Sequence, residues 1–255
     1  MELELTAYIL LFFTAVASGL VDSIAGGGGM ISIPMLLAVG VPPHAAIATN
    51  KLQASFGTCT AMLKYRHSGL FSFSKLYSGI LFTAVGAASG AFMIQRVNAD
   101  ILAKGIPFIL LALLVYTAAS PQLGLTERRP KISIALLYLL FGLVIGFYDG
   151  FFGPGTGSFW TIGLVALAGF NLKTATAQTK VMNFTSNIIS LTVFILSGRV
   201  IFLIGLVMGA GQLLGAWTGA HLVITRGTKF VKAVFLTVVT ITIIDLFIKQ
   251  YGQYL

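Results

Sequence analysis

The sequence predicts an all-α integral membrane protein, an inverted-topology repeat of two helical halves, each with a glycine-rich broken or re-entrant segment. Three observations carry this. The chain is too poor in charge to cover a water-facing surface. Apolar stretches of bilayer length recur along it. A set of motifs appears twice in the same order.

Hydrophobic residues make up 57% of the 255 and charged residues 9%, and mean hydropathy is +0.95. Soluble domains carry about 25% charge, so lipid must be the solvent for most of this chain. The net charge of +9 would raise nucleic acid as a partner in a soluble protein. Here the basic residues sit at the ends of apolar segments, where topology explains them, and no nucleic acid is implied. One cysteine, Cys59, excludes an internal disulfide and a multi-cysteine metal site. His44, His67 and His221 stand at no ligand spacing, so neither metal nor cofactor is expected. Glu2 and Glu4 replace the basic start of a signal peptide, and residues 5–21 read as a permanent segment.

Apolar segments run over 5–21, 30–41, 44–63, 74–94, 101–120, 133–148, 156–170, 174–196, 200–222 and 230–248. The segment 30–41 would span about 18 Å as a helix, near half a bilayer. The polar stretch with Glu127, Arg128, Arg129 and Lys131 divides the chain into a first transmembrane repeat, 1–120, a cytoplasmic linker, 121–132, and a second repeat, 133–255.

The repeats align by motif. Gly19-Leu20-Val21-Asp22 before Gly26-Gly27-Gly28-Gly29 matches Gly146-Phe147-Tyr148-Asp149 before Gly153-Pro154-Gly155-Thr156-Gly157. Asn50-Lys51 falls on Thr179-Lys180, and Gly86 and Gly90 fall on Gly215 and Gly219. Both small-xxx-small pairs allow close helix packing. If loop 64–75 is cytoplasmic, so are Lys64, Arg66, Lys75, Arg128, Arg129, Lys131, Lys173, Arg226, Lys229 and Lys232, against Arg96, Lys104, Arg199 and Lys249 outside. That bias satisfies the positive-inside rule. It places the N-terminus outside and gives the halves opposite orientation, a common transporter plan.

Interrupted backbone at membrane depth is tolerated only where it is buried in protein or lines a cavity. The breaks Gly26 to Gly29 and Gly153 to Gly157 each lead into a helix start, whose N–H groups and dipole suit an anion. Gly26, Gly27, Gly28 and Gly29, with Gly153, Gly155, Thr156 and Gly157, are therefore candidate substrate-binding residues. A plain tight turn is the alternative for either break alone. No Lys-Ser or Lys-Thr follows the glycines, so a nucleotide loop is unsupported.

Lys51 and Lys180 lie well inside their apolar segments, where an ionisable residue is costly and functional by default. Snorkelling along the lysine stem is the alternative. Lys180 shares a helix face with Thr176, Asn183 and Asn187, and Lys51 with Ser55 and Thr58. Asn50, Lys51, Gln53, Gln178, Thr179, Lys180, Asn183 and Asn187 complete the candidate set, and the lysines are expected to supply the positive charge that attracts an anion. Asp22 and Asp149 are the acids deep in the halves. They could couple a proton or, with slightly more weight, stabilise the break by accepting backbone N–H bonds.

Asp22, the Gly26–Gly29 run, Pro34, and Ala48-Thr49-Asn50-Lys51-Leu52-Gln53 with Gly57 resemble the sulfite exporter TauE/SafE family of membrane permeases. The second half repeats this more weakly, with Pro154 in the break and Thr179 opposite Asn50. The resemblance covers nearly the full chain. It implies a multi-pass protein of the bacterial inner membrane that moves sulfite, sulfonates or related sulfur anions and carboxylates. A small anionic substrate and the bilayer are then the expected partners, and a homodimer is left open. A secondary transporter fits best. An anion channel, or a non-transport protein such as an intramembrane enzyme or assembly factor, is the alternative. The catalytic option would need a His cluster, a Ser-based dyad or paired acids, and none is evident, so no enzyme is expected.

Overall fold

The computed structural model describes residues 3–98 and 129–251. Among them all regular structure is helical: α1 (Leu5–Ala25), α2 (Gly29–Ala38), α3 (Pro43–His67), α4 (Tyr77–Ile94), α5 (Ile134–Phe151), α6 (Thr156–Ala166), α7 (Leu172–Leu196) and α8 (Phe202–Tyr251), with a single 3-10 turn at Phe73–Lys75. Among the described residues, five stretches are long and apolar enough to cross a bilayer: α1, α4, α5, α7 and Phe202–Arg226 of α8. Large apolar side chains such as Phe13, Leu81, Phe92, Val144 and Leu214 point outward, as they must where lipid is the solvent. The chain is an integral, multi-pass membrane protein.

Local chemistry sets the helix ends. Pro43 starts α3 at the first helical position, where its missing N–H is not needed. Ser133 and Asn171 cap α5 and α7 by accepting the N–H groups of Leu136 and Thr174. Gly26 ends α1 with φ +79°, a left-handed conformation that glycine adopts without strain.

The helices pack by exchange between halves. In α8, Gly211 lies against Phe12 and Ala15, Gly215 against Val16 and Leu20, and Gly219 against Leu20 and Ser23 of α1. In α4, Gly86 lies against Leu143 and Phe147, and Gly90 against Phe147 and Phe151 of α5. Gly19 meets Gln212, and its counterpart Gly146 meets Thr83, the counterpart of Gln212. Each half's small-residue helix thus seats on the other half's first helix, with backbones too close for a side chain between them.

Helix directions follow from which ends meet. Residue numbers rise together along the α1–α8 and α4–α5 contacts. They also rise together between α3 and α8, from Leu52 against Gly205 to Lys64 bonded to Trp217. Along α5 and α7, Tyr138 meets Gln178 and Asp149 meets Ser186. In contrast, the start of α3 meets the end of α4: His44 pairs with the Ile94 carbonyl, and Ile47 and Ala48 pack with Ala91 and Ile94. So α1, α3 and α8 point one way and α4, α5 and α7 the other.

α1–α2 and α5–α6 are helical hairpins. Leu36 and Val41, at the end of α2, pack with Leu11 and Ala15 near the start of α1. Leu164 and Val165 of α6 pack with Leu137 and Tyr138 near the start of α5, and the Lys131 N–H donates to Leu167 O. Each second arm returns to where the first arm began, and the two hairpins point in opposite directions.

Three expected segments change. The stretch 156–170 holds only the eleven residues of α6, because the helix stops before Gly169, which turns at φ +77°. The stretches 200–222 and 230–248 form one helix, α8. Gly227 between them lowers helix propensity but leaves every backbone donor in place, unlike proline. Asp22 and Asp149, expected just past their segments, lie in the last turns of α1 and α5. The expected segment 101–120, and residues 121–128 of the expected linker, lie outside the described residues.

Candidate functional site

The tips of the two hairpins touch. A Cβ on Gly157 would lie 2.5 Å from Gly26 Cα, and one on Gly29 would lie 3.2 Å from Pro154 Cα. Only glycine lets the backbones come this close. Side chains satisfy the carbonyls that the breaks expose. Ser18 and Ser32 donate to Gly28 O at 2.9 and 3.1 Å. Ser158, in the first turn of α6, donates to Ala25 O at 2.8 Å. Tyr148 donates to Pro154 O at 2.7 Å and Tyr65 to Ser23 O at 2.8 Å. Buried backbone polar groups need such partners where water is scarce.

Two ion pairs flank this contact, and each joins the halves. Lys51 Nζ lies 2.5 Å from Asp149 Oδ1 and donates to Asn187 Oδ1 at 3.3 Å. Ser186 Oγ donates to the other carboxylate oxygen of Asp149. Lys180 Nζ lies 3.0 Å from Asp22 Oδ2 and also donates to the Asp22 carbonyl. The lysines are 1% and 0% exposed, so neither reaches for an interface and snorkelling does not describe them. Lys51 and Lys180, expected to supply positive charge for an anion, are each held by the acid of the other half, and the four charges sum to zero. Burial forces this, since an unpaired charge there costs several kcal/mol. Nor do the carboxylates hold the breaks through backbone N–H groups; their hydrogen-bond partners are the lysines and Ser186.

A cavity of about 30 Å³ lies beside the tips, room for a water-sized occupant but not for a sulfonate. Asp22, Gly26, Gly29, Asn50, Lys51, Asp149, Gly153, Gly155, Thr156, Gly157, Asn183 and Asn187 line it, together with Ala54. The structure therefore gathers twelve of the eighteen expected site residues around one small space. The other six sit behind it. Gly27 faces Met30 and Val21, and Gly28 packs on Ser18 and Asp22. Gln53 donates to Asn50 Oδ1 at 3.0 Å. Gln178 accepts from Tyr138 OH at 3.0 Å, and Thr179 pairs with Thr161 at 3.1 Å. Lys180 is consumed by Asp22.

Of the polar stripe on α3, Lys51 lines the cavity, and Ser55 and Thr58 do not. Ser55 and Thr58 turn back to the carbonyls of Lys51 and Ala54. Of the residues sequence reasoning passed over, Ser186 touches the site charge directly. Its partner Asp149 is thirty-seven positions away in sequence, so no local pattern could have flagged it. Asn183 Oδ1 is buried without a hydrogen-bond partner although its residue lines the cavity, so an amide faces the space with unused capacity.

The sulfite exporter TauE/SafE family model matches residues 11–246. The Escherichia coli (strain K12) protein named probable membrane transporter protein YfcA is 42% identical over 96% of this chain and 91% of its own length. A Haemophilus influenzae probable membrane transporter protein is 41% identical over 91% of both chains. The Bacillus subtilis probable membrane transporter protein YdhB is 24% identical over 90% of this chain and 94% of its own length. With bilayer-length helices, broken hairpins and a family match across nearly all its length, the chain is a membrane transporter and belongs to the sulfite exporter TauE/SafE family.

Proposed function

We propose that the protein is a secondary transporter of the bacterial inner membrane that moves sulfite, a sulfonate or a related sulfur oxyanion by alternating access. In this reading the halves form an inverted-topology repeat, and α1–α2 and α5–α6 are re-entrant hairpins entering from opposite faces. The observation that carries it is the meeting of the two glycine tips, Gly26 against Gly157, between ion pairs that cross from half to half. Discontinuous helices at a repeat interface are where transporters of this plan bind substrate. Helix starts at Gly29 and Thr156 bring positive dipole ends to the same point, which suits an anion. The small cavity corresponds to a closed state, so the halves must part to admit a sulfur oxyanion. The N-terminus lies outside and the 121–132 linker inside.

The test is uptake into proteoliposomes containing the purified protein. Radiolabelled sulfite and methanesulfonate are each supplied with and without a pH gradient. Uptake of at least one above that of protein-free vesicles is expected, and its competition by the other unlabelled anion would place both at one site. Vesicles that accumulate neither, with correctly inserted protein, would remove this reading.

A further inference from the structure

The two cross-half ion pairs are related by the repeat and both carboxylates line the cavity, yet the surroundings of the two lysines differ. Lys51 lines the cavity and Lys180 does not. Lys180 is locked twice, to the carboxylate and the main-chain carbonyl of Asp22, so its ammonium closes the C-terminal end of α1. Lys51 has no such backbone lock. Its second partner is the side-chain amide of Asn187, and at the matching place in the other half Thr58 turns away to Ala54 O. Asp149 has Ser186 as a second donor. At the matching place the first half has Gly57, covered by the Gln212 side chain. Asn183, whose Oδ1 has no hydrogen-bond partner, also lines the cavity, where the other half has only Ala54.

We infer that the pairs have divided their work: Lys180–Asp22 is a fixed strut, and Lys51–Asp149 is an exchangeable pair in which a monoanionic substrate takes the place of the Asp149 carboxylate on Lys51, bringing one proton with it. This rests on the transporter reading and adds the coupling step. The proton follows from charge. Lys51, Lys180, Asp22 and Asp149 sum to zero, and among the described residues no other ionised side chain lines the cavity. An anion added to that closed set leaves one negative charge in a desolvated space, which is strongly disfavoured. One proton taken from solvent onto the released carboxylate restores neutrality. The Asn187 amide then shifts to hold the new acid, Ser186 stays within reach of it, and the Asn183 amide can turn its NH₂ to the anion. The remaining groups facing Asp149 are neutral hydrogen-bonding ones: on its own helix, Tyr148 is already bonded to Pro154 O. Around Asp22 the groups are Lys180 and, one residue on, Tyr65 bonded to Ser23 O.

The experiment measures binding of sulfite, thiosulfate and methanesulfonate to the purified wild-type, Asp149→Asn and Asp22→Asn proteins across a range of pH, with proton uptake on binding read by an indicator dye. Comparing proteins at each pH cancels the anions' own ionisation. For wild type, one proton per monoanion is expected, and affinity weakens by up to about tenfold per pH unit on the alkaline side. Asp149→Asn should take up one proton fewer than wild type with the same anion at the same pH, so its affinity relative to wild type climbs with pH. Asp22→Asn should keep the wild-type proton uptake and pH slope whatever its overall affinity. Proton uptake by Asp149→Asn equal to that of wild type, or uptake one proton below wild type in Asp22→Asn, overturns the inference, and either result decides if the other variant fails to fold. Binding of none of the three anions by wild type would instead remove the transporter reading on which the inference stands.

Discussion

Asp22 and Asp149 each occupy the last turn of a helix, where the dipole is negative at that end and a carboxylate is disfavoured. An ammonium from the opposite half reverses the sign at both places. That makes each acid dependent on its lysine. Asp22→Asn should leave Lys180 buried without its counter-charge and lower stability by about 3–5 kcal/mol, seen as a fall in thermal melting temperature in detergent. The double variant Asp22→Asn with Lys180→Met should recover much of that loss, because removing both charges avoids the buried orphan. A double variant no more stable than the single one would show that the pair does not act as a unit. Sequence made the lysines legible as deep, because their position along an apolar run can be counted. Their partners were not legible. Asp149 is ninety-eight positions from Lys51, and only tertiary contact says which acid neutralises which base.

At the scale of elements, the glycines divide into two kinds. Gly86, Gly90, Gly215 and Gly219 let helices touch, while Gly26 and Gly157 let hairpin tips touch. Substitution should separate the two. Gly90→Ile places a branched side chain against Phe147 and Phe151 of α5, and the protein should lose yield and melt earlier whether or not anion is present. Gly157→Ala adds one methyl at the meeting point with Gly26 and beside Asn183. It should insert normally and reduce anion uptake at least tenfold, measured in proteoliposomes of matched protein content. Uptake within twofold of wild type would remove the tips from the transport path. Most helices could be read from hydropathy, since their ends coincide with proline, glycine or polar residues. Two features could not. The apolar run 156–170 hides the end of α6 because Leu167, Ala168 and Phe170 continue its hydrophobicity after the backbone has turned. Nor does hydropathy say that a short helix folds back; that is decided by Leu36 packing on Leu11 and Leu164 on Leu137.

The whole molecule sets two groups of helices against each other, α1, α3 and α8 running opposite to α4, α5 and α7. This arrangement collects charge at one end. The end of α3 carries Lys64 and Arg66, the start of α4 follows Lys75, α5 follows Arg129 and Lys131, α7 begins beside Lys173, and the bilayer-length part of α8 ends at Arg226. Lys173 Nζ donates to Ile224 O and Lys64 Nζ to Trp217 O, tying the ends of α7 and α3 to α8 at that same end. The opposite end has Arg96 after α4 and Arg199 between α7 and α8. By the positive-inside rule, we propose that the Lys64 end faces inward and the Arg199 end outward. Ser68 and Ser197, both just past a helix end, report the two ends separately. With the native Cys59 replaced by alanine, Ser68→Cys should react with a membrane-impermeant maleimide only in inside-out vesicles or after permeabilisation. Ser197→Cys should react in intact spheroplasts. The reverse pattern would invert the orientation while leaving the fold intact. Reaction of both cysteines from one side would contradict the helix directions themselves, because α3 and α7 could not then end on opposite faces of the membrane.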